Sequence, residues 1–298
     1  MKITYGITNN TIDVTDICIE KLTKNNIITI PQGASNRTQY FTDPLYGVHK
    51  FIFIENNDII NEYNEFIQIK INIIDNTITT VHENDITNKV KNIHSKLKIN
   101  YGSLNDEFPE QKMVVRYLKG SEKVLEIGGN IGRNSLVIAS ILENNNNFVT
   151  FESDINISKQ LTSNRDLNNM HFHIESSALS NRKLIQKGWD TIPSDILLPS
   201  YNWVNTVTLE EVKSKYNIEF DTLVLDCEGA FYYILMDMPE ILNNINLIIM
   251  ENDYWDISKK NYIDEILIKN KFIVDYTESG GWGPCYNNFF EVWKRTTM

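Results

Sequence analysis

The stretch Val124-Leu125-Glu126-Ile127-Gly128-Gly129-Asn130-Ile131-Gly132-Arg133-Asn134-Ser135 decides the fold. It reads as a buried strand with an acid near its end, a glycine-rich turn and the start of a helix. Glycines in such a turn let backbone approach a ligand closely, and the acid can accept hydrogen bonds from an amine or a hydroxyl. A dinucleotide site wants Gly-x-Gly-x-x-Gly, whereas the spacing here is Glu-x-Gly-x-x-x-Gly, so a pyrophosphate is the weaker reading. Glycines serving only the geometry of a strand-to-helix turn would give the same string. The next strand, 148–151, is followed by Glu152, 26 residues after Glu126. A carboxylate at the tip of a second strand is placed to grip a ribose diol; an ordinary exposed glutamate is the plainer alternative.

Outward from this stretch the chain alternates. A helix at 109–118 has Pro109 at its start and Gly120 as its stop. Strands are expected at 123–127, 148–151, 171–176, 222–225 and 247–250, with helices at 134–142, 155–167 and 209–215. That alternation implies βαβ units and a parallel sheet covered on both faces, a doubly wound Rossmann-like α/β fold. Segments 272–276 and 289–293, joined by a glycine-rich loop, read instead as an antiparallel hairpin at the sheet edge. Residues 1–85 are β-rich, with strands at 50–54 and 66–73 and one helix at 15–24 capped by Thr15. The expected organisation is a small β-rich N-terminal domain over 1–85, a polar linker over 86–105, and the α/β domain over 106–298.

Hydrophobic residues make up 42% of the 298 and aromatics 11%, enough for real cores, so disorder is excluded. The net charge of −11 and the lack of any Lys/Arg-rich run point away from nucleic acid and from anionic membranes as partners. Apolar stretches such as 245–250 fall well short of the roughly 18 residues that cross a bilayer. No apolar signal core is expected in residues 1–10, and Cys18, Cys227 and Cys285 are widely spaced without CxxC pairing. Together these suggest a reducing, cytoplasmic setting without a disulfide scaffold or structural zinc.

With Glu126, the glycine turn and Glu152 in place, the sequence resembles the class I S-adenosylmethionine (SAM)-dependent methyltransferases. Within them it is similar to the FkbM-like O-methyltransferases. Four later stretches carry the narrower likeness. Ser176-Ser177-Ala178-Leu179-Ser180 resembles the loop that borders the adenine, and Thr206-Val207-Thr208-Leu209-Glu210-Glu211 the family's T-L-D-D helix start. Asp221 to Ala230 resembles its fourth strand ending in D-x-E-G, and Leu247-Ile248-Ile249-Met250-Glu251 its fifth with a terminal acid. The resemblance implies that Glu126 lies near the cofactor's amino group, Gly128 and Gly132 line it, and Glu152 binds the ribose. It implies that Ser177 and Ala178 border the adenine, with Asp226 at the sulfonium end; Asn130 and Asn134 can donate hydrogen bonds in the first turn. The family usually reads D-x-E-G-A-E, and here the last acid is Phe231, so no metal or base role is carried over to that position.

An alcohol acceptor has a high pKa, so a carboxylate at the fourth or fifth strand tip can add general-base help: Glu228, then Asp226, then Glu251. The same three acids can hold a hard divalent cation, but no metal is assigned. Cys227, between two of them, should alternate to the opposite face as an inert thiol. His171 and His173, an i, i+2 pair on one strand face, can bind a metal or be plain strand residues, and the latter is the reading taken. Trp255 and Trp282, in expected loops, offer flat faces to a small-molecule or glycan substrate, or pack a hairpin. The loop 280–284 can cover the site or simply turn. The expected function is SAM-dependent O-methylation of a sugar or glycan hydroxyl. The alternatives are an inactive methyltransferase-fold scaffold, which Phe231 motivates, and an RNA 2′-O-methyltransferase, which lacks its basic groove. The N-terminal region shows no catalytic constellation and can bind acceptor, mediate an oligomer or cap the fold.

Overall fold

In the computed structural model, which describes residues 1–56 and 59–296, the chain divides into two units, Met1–Lys89 and Val90–Met298. Thr297 and Met298, the end of the expected α/β domain, lie outside the described residues. The larger unit is built on seven strands: β1 (Val124–Ile127), β2 (Phe148–Phe151), β3 (His173–Glu175), β4 (Thr222–Leu225), β5 (Leu247–Glu251), β6 (Phe272–Glu278) and β7 (Phe290–Arg295). Their order in the sheet is β3-β2-β1-β4-β5-β7-β6. The first five run parallel, and β7 lies antiparallel to both β5 and β6. Every residue of β1, β2 and β4 is buried, which is why they read as short apolar runs instead of alternating ones. The fold is therefore mixed α/β, doubly wound and Rossmann-like, with the C-terminal antiparallel hairpin that the sequence implied.

Six helices connect and flank these strands: α1 (Phe108–Tyr117), α2 (Arg133–Ile141), α3 (Ile155–Leu167), α4 (Leu209–Tyr216), α5 (Ala230–Asp237) and α6 (Ile257–Lys269). Local chemistry fixes their starts. Asp154 accepts hydrogen bonds from the N–H groups of Asn156 and Ile157 at the head of α3. Thr208 and Glu211 form a reciprocal capping box on α4, and Asp256 caps α6 through Ser258. Strand order reverses between β1 and β4, which opens a crevice at the carboxyl ends of the strands.

One region has no counterpart in the sequence reading. Between β3 and α4, Leu184–Lys187, Asp190–Pro193 and Asn202–Val204 form a separate three-stranded antiparallel sheet with Leu184–Lys187 at its centre. Leu184 and Ile185 are buried there, yet neither joins the main core cluster. Strands of three or four residues between glycine and prolines carry no periodicity to read.

The smaller unit holds two four-stranded antiparallel sheets. Ile3, Tyr5, Ile52 and Ile54 on one and Ile28, Ile30, Ile69 and Ile71 on the other alternate inward to form its core. The helix expected at 15–24 ends at Lys21, because Thr23–Lys24 pairs with Ile27 and Ile28 instead. Thr15 does not cap it: Val14 holds the cap position, and the Thr15 hydroxyl bonds Asp13 and the Ile3 carbonyl.

The segment expected as a linker, 86–105, holds secondary structure and anchors. The helix Glu83–His94 fills its first half. Further on, the N–H groups of Asn100 and Tyr101 donate to Asn164 Oδ1 at 2.7 and 3.1 Å, fastening the segment to α3. Its polarity reflects a solvated helix face and side-chain anchors. Among the described residues no helix is long and apolar enough to cross a membrane.

Candidate active site

The turn after β1 is set by contact with β4. Gly128 has φ of 95°, and a Cβ placed there would lie 1.5 Å from the Asp226 carbonyl oxygen, so only glycine allows the two tips to meet. The N–H groups of Gly128 and Gly129 both donate to the Phe151 carbonyl at 3.0 and 2.8 Å, which fastens the turn to β2 as well. Gly128→Ala is expected to lower stability by at least about 2 kcal/mol, since backbone must retreat and a left-handed φ must take a side chain. An unchanged urea midpoint would contradict this account of the turn.

These tips surround a cavity of about 640 Å³. Gly128 and Asn130 reach it after β1, Glu152 after β2, Ser177 and Ala178 after β3, Asp226 and Glu228 after β4, and Glu251 with Trp255 around β5. Four expected ligand residues are not in its wall. Glu126 is buried behind the turn, where it accepts a hydrogen bond from the Ser135 hydroxyl. Gly132 serves the left-handed start of α2 and packs towards Leu161; Asn134 is buried within α2. Trp282 is one layer back, stacked on Trp255 with ring centroids 4.4 Å apart. Cys227 does reach the wall, because the strand ends at Leu225 and alternation stops with it. Burial pushes its thiol well up, so it remains a poor nucleophile. His171 is exposed before β3, and the His173 ring packs on Tyr216 at 4.5 Å, away from the cavity.

Several wall residues were missed. Asp253 follows Glu251 by two positions, so the period of an extended chain could have flagged it. Glu107 and Glu110 enter from the start of α1, where acids look like a solvated helix face. Lys259, from α6, makes the wall less purely acidic than the sequence suggested. Phe231 is fully buried in the core.

The carboxyls interact strongly. Burial, then the charges of Glu107, Glu110, Asp253 and Glu228, raises Asp226 well above its usual range. Burial and Asp226 push Glu251 up to about 12, with a hydrogen bond to Glu110 adding to the rise. Asp253 is raised to about 7 by burial first and the Glu228 charge second. The Glu110 Oε2 atom is buried with no hydrogen-bond partner. Carboxyl oxygens of Asp226, Glu251 and Asp253 lie within 4.8 Å of one another, a spacing that suits one hard cation or a shared proton. On the opposite wall Glu152 is buried, with Oε1 held by the Asp154 N–H at 2.7 Å. Ser177 Oγ is buried beside the cavity with no partner.

Glu126 yields a stability test. Burial raises it from 4.5 to about 7 in the fold. The folded state thus holds a proton that the unfolded chain releases, so stability falls as pH rises between 4.5 and 7, by about 3 kcal/mol over the window. Glu126→Gln should remove that share of the slope, read as urea unfolding at pH 5 and pH 8. Equal slopes in the two proteins would show that the carboxyl is not desolvated.

No protein-family model matches the sequence, nor does any curated protein. Among solved structures, the chain is similar to the O-methyltransferase from Bacillus cereus in complex with SAH, at 14% identity, 71% of this chain, 91% of that chain and a TM-score of 0.41. It is similar to the ribosomal protein L11 methylase from Lactobacillus delbrueckii subsp. bulgaricus at 12%, covering 66% and 82%, TM-score 0.41. For the rRNA methylase from Streptococcus thermophilus the values are 8%, 63%, 95% and 0.41. At these identities and TM-scores the likenesses decide nothing about chemistry, which rests on the cavity.

Proposed function

We propose that this chain is a SAM-dependent O-methyltransferase acting on a hydroxyl of a sugar or glycan precursor. The observation that carries the reading is a carboxylate-lined cavity at the strand tips where the sheet order reverses, a wall that suits a cationic nucleoside. The residues present fit that group. Glu152, fixed at Oε1 by the Asp154 N–H, presents its carboxyl to a ribose diol. The unpartnered Ser177 hydroxyl, next to Ala178, suits an adenine edge. Gly128 leaves the close approach that a Cβ would fill, and Asp226 offers its carboxyl to a sulfonium.

When bound, SAM supplies an electrophilic methyl group, so the protein's share of the work is to align an acceptor oxygen with it. Asp253 receives the acceptor's proton, since its carboxyl titrates near neutrality; Glu228 stands next to it. Burial and neighbouring carboxylates raise Asp226 and Glu251, and a cation entering the cavity would favour their ionised forms. The exposed face of Trp255, braced by Trp282, stacks on a sugar ring. Phe231 does not count towards an inactive scaffold, because Glu110 and Asp253 supply acids to the cavity.

The test is calorimetric titration with SAM and SAH, followed by transfer to a panel of saccharides with and without Mg²⁺, read by mass spectrometry as one added methyl. Saturable binding and a methylated saccharide are expected. A folded protein that binds neither SAM nor SAH overturns the proposal and leaves the scaffold reading.

A further inference from the structure

We infer that the acceptor bears an anionic group, a phosphate or a carboxylate, and that Lys259 reads it in a corner of the cavity shared with Tyr233 and Arg182. This deepens the methyl-transfer reading and rests on it.

The cavity wall carries many acids and, among the described residues, two basic side chains, Lys259 and Arg182. Both lie against one ring: the Lys259 ammonium is 4.9 Å and the Arg182 guanidinium 5.1 Å from the Tyr233 centroid. Their states differ. Arg182 forks onto Asp237, with Nη2 donating to Oδ1 at 2.7 Å, so its charge is already matched. Lys259 donates to the Tyr233 hydroxyl at 3.2 Å and faces Tyr232 at 5.6 Å, and among the described residues it forms no ion pair. The nearby Asp256 is committed to capping α6 through the Ser258 N–H at 2.9 Å. An ammonium has three donors, so Lys259 keeps donors for whatever enters.

The cationic corner is separate from the acids that serve the cofactor and the reacting hydroxyl. The charges acting most strongly on Asp226, Glu251 and Asp253 are carboxylates, and neither Lys259 nor Arg182 is among them. The cavity is thus uneven: its strand-tip acids lie apart from its two basic side chains, which meet on Tyr233 beside Asp237 and Asp256. A neutral saccharide would leave the half-buried ammonium with only the Asp256 charge nearby and no ion pair. An anionic one would be held at one end by Lys259, in a partly desolvated site where a charge pair counts for more than it does in water. Its other end then extends towards Asp253. Like charge would also turn the anion away from the acidic half, which gives the acceptor a single orientation.

The test is calorimetry on the SAH-loaded protein with glucose, glucuronate and glucose 6-phosphate, in the natural protein, K259M and K259R. Binding of SAH in the first step checks the methyl-transfer reading alone; its absence overturns that reading and this inference together. With SAH bound, glucuronate or glucose 6-phosphate should bind at least ~10-fold more tightly than glucose. K259M should lose that preference while keeping its affinity for SAH, and K259R should retain most of it. Which anion gains more tells carboxylate from phosphate. No preference over glucose in the natural protein, or an undiminished preference in K259M, overturns the inference with the cofactor site intact.

Discussion

Glu152→Ala should weaken SAM and SAH by about 10²- to 10⁴-fold, because each charge-assisted hydrogen bond to a ribose hydroxyl contributes about 1.5–3 kcal/mol and two are lost. Nothing else in the cavity replaces them. Asp154 holds the glutamate at Oε1, so the carboxylate is positioned before any ligand arrives, and little is spent on ordering it. Burial raises the carboxyl's pKa, so the ionised side chain gives the empty fold little, and the variant should unfold at the same urea midpoint. Glu152→Gln, which keeps an acceptor oxygen and loses the charge, should fall between. Calorimetry decides: a Glu152→Ala protein that binds SAH as well as its parent would mean that the cofactor does not lie across β2.

Asp253→Asn is expected to show the largest effect on turnover, a fall of about 10²- to 10⁴-fold in kcat with SAM affinity nearly unchanged. Its signature is the pH profile. A base with a pKa of about 7 must lose its proton to act, so kcat/KM in the natural protein rises through that value and levels off above it. The Asn variant should show no such limb. Should Asp253→Asn keep both rate and limb, the base is elsewhere, and Glu228→Gln is the variant to examine next.

The parts of this molecule that are legible in its sequence share one trait: burial on both sides. Four-residue runs such as Phe148–Phe151 and Thr222–Leu225 are apolar because helices cover both sheet faces, and each is bounded by a polar or glycine-rich turn. The helix expected over 155–167 is α3, over that same range. The lining of the cavity was readable where it hangs on strand tips, as at Gly128, Glu152 and Asp226. It was unreadable where helices contribute. Glu110 and Lys259 follow helical spacing and look like solvent-facing charges until the tertiary fold turns them inward. Glu126 is a different case: the motif singles it out, and its carboxyl is buried against Ser135 behind the cavity wall.

The three-stranded insertion after β3 has a small apolar centre of its own in Leu184 and Ile185, while Trp189 at its hairpin tip and Thr191 face the cavity. Variation there is shielded from the rest of the molecule: a changed tip need not disturb the large core, and the turn that Gly128 shares with Asp226 stays intact. On the methyl-transfer reading proposed above, such a chain can drift in what it accepts while inheriting its donor site unchanged. The least regular stretch of the sequence is then the one from which its descendants would diverge.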